Sequence, residues 1–184
     1  MRTHEQHPNN MMAAMHNMME EMDNASLHGD PDNHFARMMQ LHHAGALSMG
    51  DRLLQDGRDL TLAGIARDMI QKQKEEIAAL QLFLNNNRPM PHSENPVFNS
   101  AMKKAMDNMD LNAAQEKLTG EADNDFAALM VHHHQAAIEM ADLIIQYGTD
   151  PGIKKIAGMM KTDQEAEIQL LLKWLNEHRD QHLT

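Results

Sequence analysis

The sequence predicts an all-α fold: two tandem helical hairpins paired into a four-helix bundle, each preceded by a Met-rich helix. Three observations point there. Ala, Leu, Met, Gln, Glu and Lys dominate, whereas the strand-favouring β-branched and aromatic residues are thin. The chain repeats itself: Phe35, Met39, His42, His43, Ala46, Met49 and Asp51 return 91 residues later as Phe126, Met130, His133, His134, Ala137, Met140 and Asp142. The same gapless register pairs Met69 with Met160, Gln73 with Gln164, Glu76 with Glu167, and Met11, Met15 and Met18 with Met102, Met106 and Met109. Finally, Asp30-Pro31, Asn95-Pro96 and Asp150-Pro151 each join an N-cap residue to a proline suited to a first helical position.

The elements follow in order. Residues 1–9 are expected to be disordered. Helices are expected near 10–24, 31–56, 60–86, 96–110, 123–147 and 151–179, with Gly57 and Gly148 at the hairpin turns. The segment NNNRPMPHSENP, Asn85 to Pro96, links the repeats. The units are a Met/His-rich segment at 1–29, a hairpin at 30–86, a linker with the second Met-rich helix at 87–122, and a hairpin at 123–184. Residues 30–184 form one bundle domain. Residues 35, 39, 42, 46, 49 and 53 step by four and three, as a bundle seam does. On the partner helix, Leu62, Ala66, Met69, Gln73, Glu76, Leu80 and Phe83 keep the same rhythm.

Composition bounds the function. A formal net charge of −11 argues against nucleic acid as partner. No apolar run is long enough to span a membrane. The opening MRTHEQHPNN lacks the apolar core of a signal peptide, so the protein is either cytosolic or has lost its signal. No nucleophile triad, phosphate loop or cofactor fingerprint is visible, and a non-enzymatic role is expected. Cysteine is absent beside 19 Met and 13 His. Outside the cytosol thiols couple into disulfides and thioethers do not, so this balance suits a soft-metal protein of an oxidising compartment.

Several constellations carry that possibility, each beside a plainer explanation. Stacking the hairpins level with one another predicts a layer of Met49, Met69, Met140 and Met160, which could hold a soft ion or merely fill the core. The next layer holds His42, Gln73, Glu76 and their copies: a divalent site, or buried imidazole–carboxylate pairs. His43 and His134 flank the seam, each four residues after Met39 or Met130, a workable sulfur–nitrogen pair for copper. His132 points elsewhere. The segment MMAAMHNMMEEM is densest: Met11, Met15, Met18 and Met22 form one helix face, with Met12, His16 and Met19 beside it. Met102, Met106 and Met109 repeat part of that face. Accessible Cu(I) or Ag(I) sites are expected there, against the plainer reading of an amphipathic helix capping the bundle.

The paired blocks HHAGALSM and HHQAAIEM, followed by QKEEI and QEAEI, carry a resemblance. Over residues 30–178 the chain resembles a bacterial family of unknown function with a ferritin-like four-helix fold, and within it the CopM-type periplasmic copper-binding proteins. That resemblance implies a periplasmic or secreted protein that binds Cu(I), with Ag(I) as its mimic, and contributes to copper resistance. A copper-exporting or copper-accepting protein is an implied partner, and the chain is expected to be a monomer or weak dimer. Leu41 stands where the second copy has His132, so the halves need not bind equally. Two alternatives remain: a divalent-metal store or ferritin-like metalloenzyme using His42, His133, Glu76 and Glu167, and a Met-rich interaction module gripping partner helices.

Overall fold

The computed structural model describes residues 10–25, 29–90 and 92–178. Residues 1–9, expected to be disordered, and Arg179 at the expected end of the last helix lie outside them. Six helices run in order: α1 (Asn10–Asn24), α2 (Pro31–Asp56), α3 (Leu60–Asn86), α4 (Pro96–Gln115), α5 (Ala122–Tyr147) and α6 (Pro151–His178). No strand occurs among the described residues. Helix starts follow the cap chemistry: Asp30 accepts from the Asn33 backbone N–H at 3.0 Å, Asn95 from Phe98 at 3.0 Å, and Asp150 from Ile153 at 2.9 Å. α4 runs past its expected end at residue 110, because Leu111, Ala113 and Ala114 favour helix and Ala113 is fully buried.

The hairpins pair about an approximate two-fold axis across their helices. His42 of α2 faces His133 of α5, its own copy, with ring centroids 3.6 Å apart. Lys72 of α3 reaches its counterpart position Asp163 of α6 at 3.2 Å. Away from the axis, contacts come in reciprocal pairs. Asp32 accepts from the Thr149 N–H at 3.0 Å, the Thr149 hydroxyl at 2.7 Å and the Asp150 N–H at 3.2 Å. Its counterpart Asp123 accepts from the Arg58 N–H at 2.8 Å and the Asp59 N–H at 3.3 Å. Each repeat thus holds the other's hairpin turn, the signature of isologous packing. Gly57 and Gly148 serve this clasp through space: a Cβ at either would sit 2.6 Å from the Asp123 or Asp32 Oδ1 atom.

This symmetry corrects the expected Met layer. α2 and α5 run antiparallel, with His42 against His133 and each helix start at the other's turn. Met49 and Met140 each lie seven residues beyond their histidine, and therefore on opposite sides of the crossing. At 1.5 Å per residue they are about 20 Å apart along the bundle. Met49 and Met69 sit towards one end, Met140 and Met160 towards the other, and no four-Met layer forms.

A second correction concerns α2 and α5. α1 packs on α2 and α5, α4 packs on α5, and α3 and α6 cover the opposite side. The molecule is therefore three two-helix layers, with α2 and α5 in the middle. A single buried stripe does not describe these two helices. Met38, His43 and Gly45 of α2, and Ala127, Leu129, His134 and Ala136 of α5, are buried too.

Candidate metal centre

The Met-rich helices bring their sulfur faces inward. Met11, Met15, Met18 and Met22 of α1 are at most 3% exposed, as are Met102, Met106 and Met109 of α4. The 3.6-residue period puts each set on one stripe, and burial of that stripe fastens the helix to the layer beneath. Met12 and Met19 are partly buried. His16, 60% exposed, lies 3.8 Å from Asp110 of α4, so α1 and α4 run side by side over the middle layer. The expectation of solvent-accessible Met sites is overturned for Met11, Met15, Met18 and Met22, which line an interface, whereas Met12 and Met19 keep partial exposure. The physical reason is that a six-Met helix is amphipathic, and its apolar side leaves water wherever a complementary surface exists. Gly45 makes that surface close, since a Cβ there would overlap the Met18 Sδ atom.

The histidine tier also differs from expectation. His43 and His134, placed beside the seam by periodicity, are fully buried. They, not His42, meet the carboxylates: His43 Nε2 bonds Glu76 at 2.6 Å, and His134 Nε2 lies 2.7 Å from Glu167. The rings of His42 and His133 face each other, tilted by 30°, and His133 Nε2 bonds the His42 carbonyl at 2.9 Å, which makes that nitrogen the protonated one. Burial, reinforced by the neighbouring imidazoles, pushes both well below the usual histidine pKa, so they are neutral. Neither ring nitrogen of His42 has a hydrogen-bond partner within the protein, nor have the Gln73 and Gln164 amides. Met39 and Met130, expected to pair with His43 and His134, are likewise fully buried, four residues away on the same helices. His132 does point elsewhere, to Glu116 at 2.7 Å.

Met49, Met69, Met140 and Met160 are buried in two separated pairs, as described above. Among the described residues, no group of three or more His, Cys, Asp or Glu is arranged to hold a metal. Sequence reasoning missed two buried donors, His34 and Met38. His34 stands edge-on to Phe98, centroids 5.5 Å apart, and burial lowers its pKa against an opposing contribution from Asn99. The available signal was their failure to repeat, because their counterparts are Asp125 and Leu129.

Comparison with known proteins agrees with this architecture. The model of the family "Domain of unknown function (DUF305)" matches residues 1–84 and 32–175. The chain belongs to the DUF305 family. A DUF305 fragment from Deinococcus radiodurans superposes with a TM-score of 0.61 at 21% identity, covering 80% of this chain and 96% of that one. A DUF305 protein from Streptomyces coelicolor gives 0.63 at 23% identity, covering 80% and 93%. CopM in its Cu(I)-bound form gives 0.60 at 25% identity, covering 79% and 96%. CopM has also been solved in Ag-bound and Cu(II)-bound forms. No curated protein sequence matches the chain. The CopM-type resemblance seen in the paired histidine blocks is thus matched by the DUF305 fold.

Proposed function

We propose that this DUF305 protein binds Cu(I), and Ag(I) as its mimic, through methionine thioethers, sequestering or passing on the ion in the periplasm as part of copper resistance. One observation carries the reading: α1 and α4 together press the sulfur faces of nine methionines towards the middle layer. Thioethers are soft and neutral, so they select a monovalent d10 ion over hard or divalent competitors. The likeness to CopM, solved with Cu(I) and with Ag, supports the same ion class. The absence of cysteine fits an oxidising compartment, where sulfur ligands must survive without thiols. The long helices serve as scaffold, and the role is binding, not catalysis.

The test is an anaerobic Cu(I) titration against a competing chelator. Changing Met11, Met15, Met18 and Met22 together to Leu keeps the apolar face and removes four sulfurs. Bound Cu(I) should fall, and unchanged uptake would sink the sulfur-led reading. Thioethers have no proton to lose, so wild-type uptake should persist when pH drops from 7 to 5. Uniform loss of binding on acidification would count against it.

A divalent reading has one observation in favour, the unpartnered neutral imidazole nitrogens of His42 and His133 at the bundle centre. It predicts Cu(II) or Zn(II) binding that survives the four Met-to-Leu changes and disappears when His42 and His133 are replaced.

A further inference from the structure

The two repeats are not equivalent where α1, α2 and α4 meet. A cavity of about 210 Å3 opens there, and Met19, Met22, His34, Met38 and Met106 line it. By the 91-residue register, four of those five belong to the first repeat and have no soft counterpart in the second. Met19 corresponds to Asp110, Met22 to Ala113, His34 to Asp125 and Met38 to Leu129. The fifth, Met106, arrives from the second repeat and corresponds to Met15. Donors that the duplication does not explain therefore converge on one space.

We propose that this cavity is a single, asymmetric monovalent soft-metal site, with Met19, Met22, Met38 and Met106 as thioether ligands and His34 as the nitrogen ligand. The proposal rests on the Cu(I)-binding reading above and gives it a place.

Three features support the assignment. First, the donors are enclosed yet reachable: Met22, Met38, Met106 and His34 are buried, while Met19 is only partly so. Second, the set is chemically uniform. Four thioethers and an imidazole are all neutral, which suits one positive charge better than two in a partly desolvated setting. Asp23 and Lys103 at the mouth carry opposite charges and leave little net field. Third, the space is roomy enough for the donors to rearrange. The space is larger than a single water needs, and three rotatable bonds let each Met side chain swing inward. In the second repeat the position of His34 has a structural task instead: Asp125 accepts from the Thr119 N–H at 2.7 Å and the Gly120 N–H at 2.9 Å. In the first repeat His34 instead turns to α4, where it meets Phe98 edge-on and Asn99.

The experiment uses the whole chain with 13C-methyl-labelled methionine, titrated with Ag(I), which needs no reductant. The first equivalent should shift the Met19, Met22, Met38 and Met106 methyl signals and the His34 ring signals before those of Met49, Met69, Met140 and Met160. Met22→Ala with Met38→Leu places second-repeat residues in the cavity. It should weaken the first Ag(I) at least ten-fold while later equivalents still bind. First-equivalent shifts at other methionines, or spread evenly over all of them, would overturn the site and leave the proposed function standing. A wild-type chain that took up neither Ag(I) nor Cu(I) would overturn both. The wild-type spectra decide the question even if the double variant folds poorly.

Discussion

His42 and His133 show how much one side chain's surroundings matter. Both imidazoles are sealed at the symmetry axis, face to face and uncharged. Their folded pKa values lie below the unfolded value of about 6.5. Above that pH both states carry neutral rings and the histidines add no pH dependence. Below it the unfolded chain binds protons that the folded chain refuses, so stability falls with pH. The slope is about 1.4 kcal/mol per pH unit for each such ring. Urea unfolding at pH 7, 6 and 5 should show that decline, and His42→Leu with His133→Leu should flatten it. An unchanged slope in the double variant would place the acid sensitivity elsewhere. Periodicity marked His42 as the seam residue but assigned it the carboxylate that His43 holds. Adjacent helix positions differ by 100°, and α2 is covered on so many sides that both face protein.

At the scale of the element, the Met-rich helices are held by packing. Leu for Met nearly conserves volume, so the four α1 changes should each cost under about 1.5 kcal/mol. Equilibrium unfolding would show this, and would separate lost copper uptake from lost fold. Gly45 sets how closely α1 approaches α2. Its counterpart in the second repeat is Ala136, which is buried on α5. Gly45→Ala should push Met18 outward and destabilise by about 1–3 kcal/mol. Limited proteolysis should then cut α1 sooner than in wild type, whereas equal protection would mean that Met18 relocates freely. Sequence reasoning placed both Met faces correctly, because an i, i+4, i+7 stripe is written in the chain itself. It had no access to the surface waiting opposite, and so mistook a buried stripe for an open one.

At the scale of the molecule, the reciprocal clasp ties each hairpin to the turn of the other. Asp32 is buried and accepts from Thr149 and Asp150, and the half-buried Asp123 accepts from Arg58 and Asp59. Hydrogen bonds to a charged acceptor contribute roughly 1.5–3 kcal/mol. Asp32→Ala should therefore destabilise by about 2–3 kcal/mol. Asp123→Ala, at the other end of the bundle, should add its effect independently in the double variant. Denaturant midpoints of the two singles and the double would check this. Strong non-additivity would mean that the ends communicate through the histidine tier.

The amino-acid sequence by itself determined the helices, their caps, the duplication and the Met stripes. Each of these is a local relation, set by neighbours a turn or two apart or by an identical copy at a fixed offset. Only the tertiary structure decided how the copies face one another. An offset of 91 residues says that two hairpins are alike, and is equally consistent with aligned or opposed helices. Opposed packing separated the expected four-Met layer into two pairs and set His42 on His133. It also gathered the unrepeated donors Met19, Met22, His34 and Met38 into one cavity with Met106. The physical reason is that the pairing of two similar apolar faces depends on shape and buried hydrogen bonds across the interface. Those contacts exist only once both faces have formed.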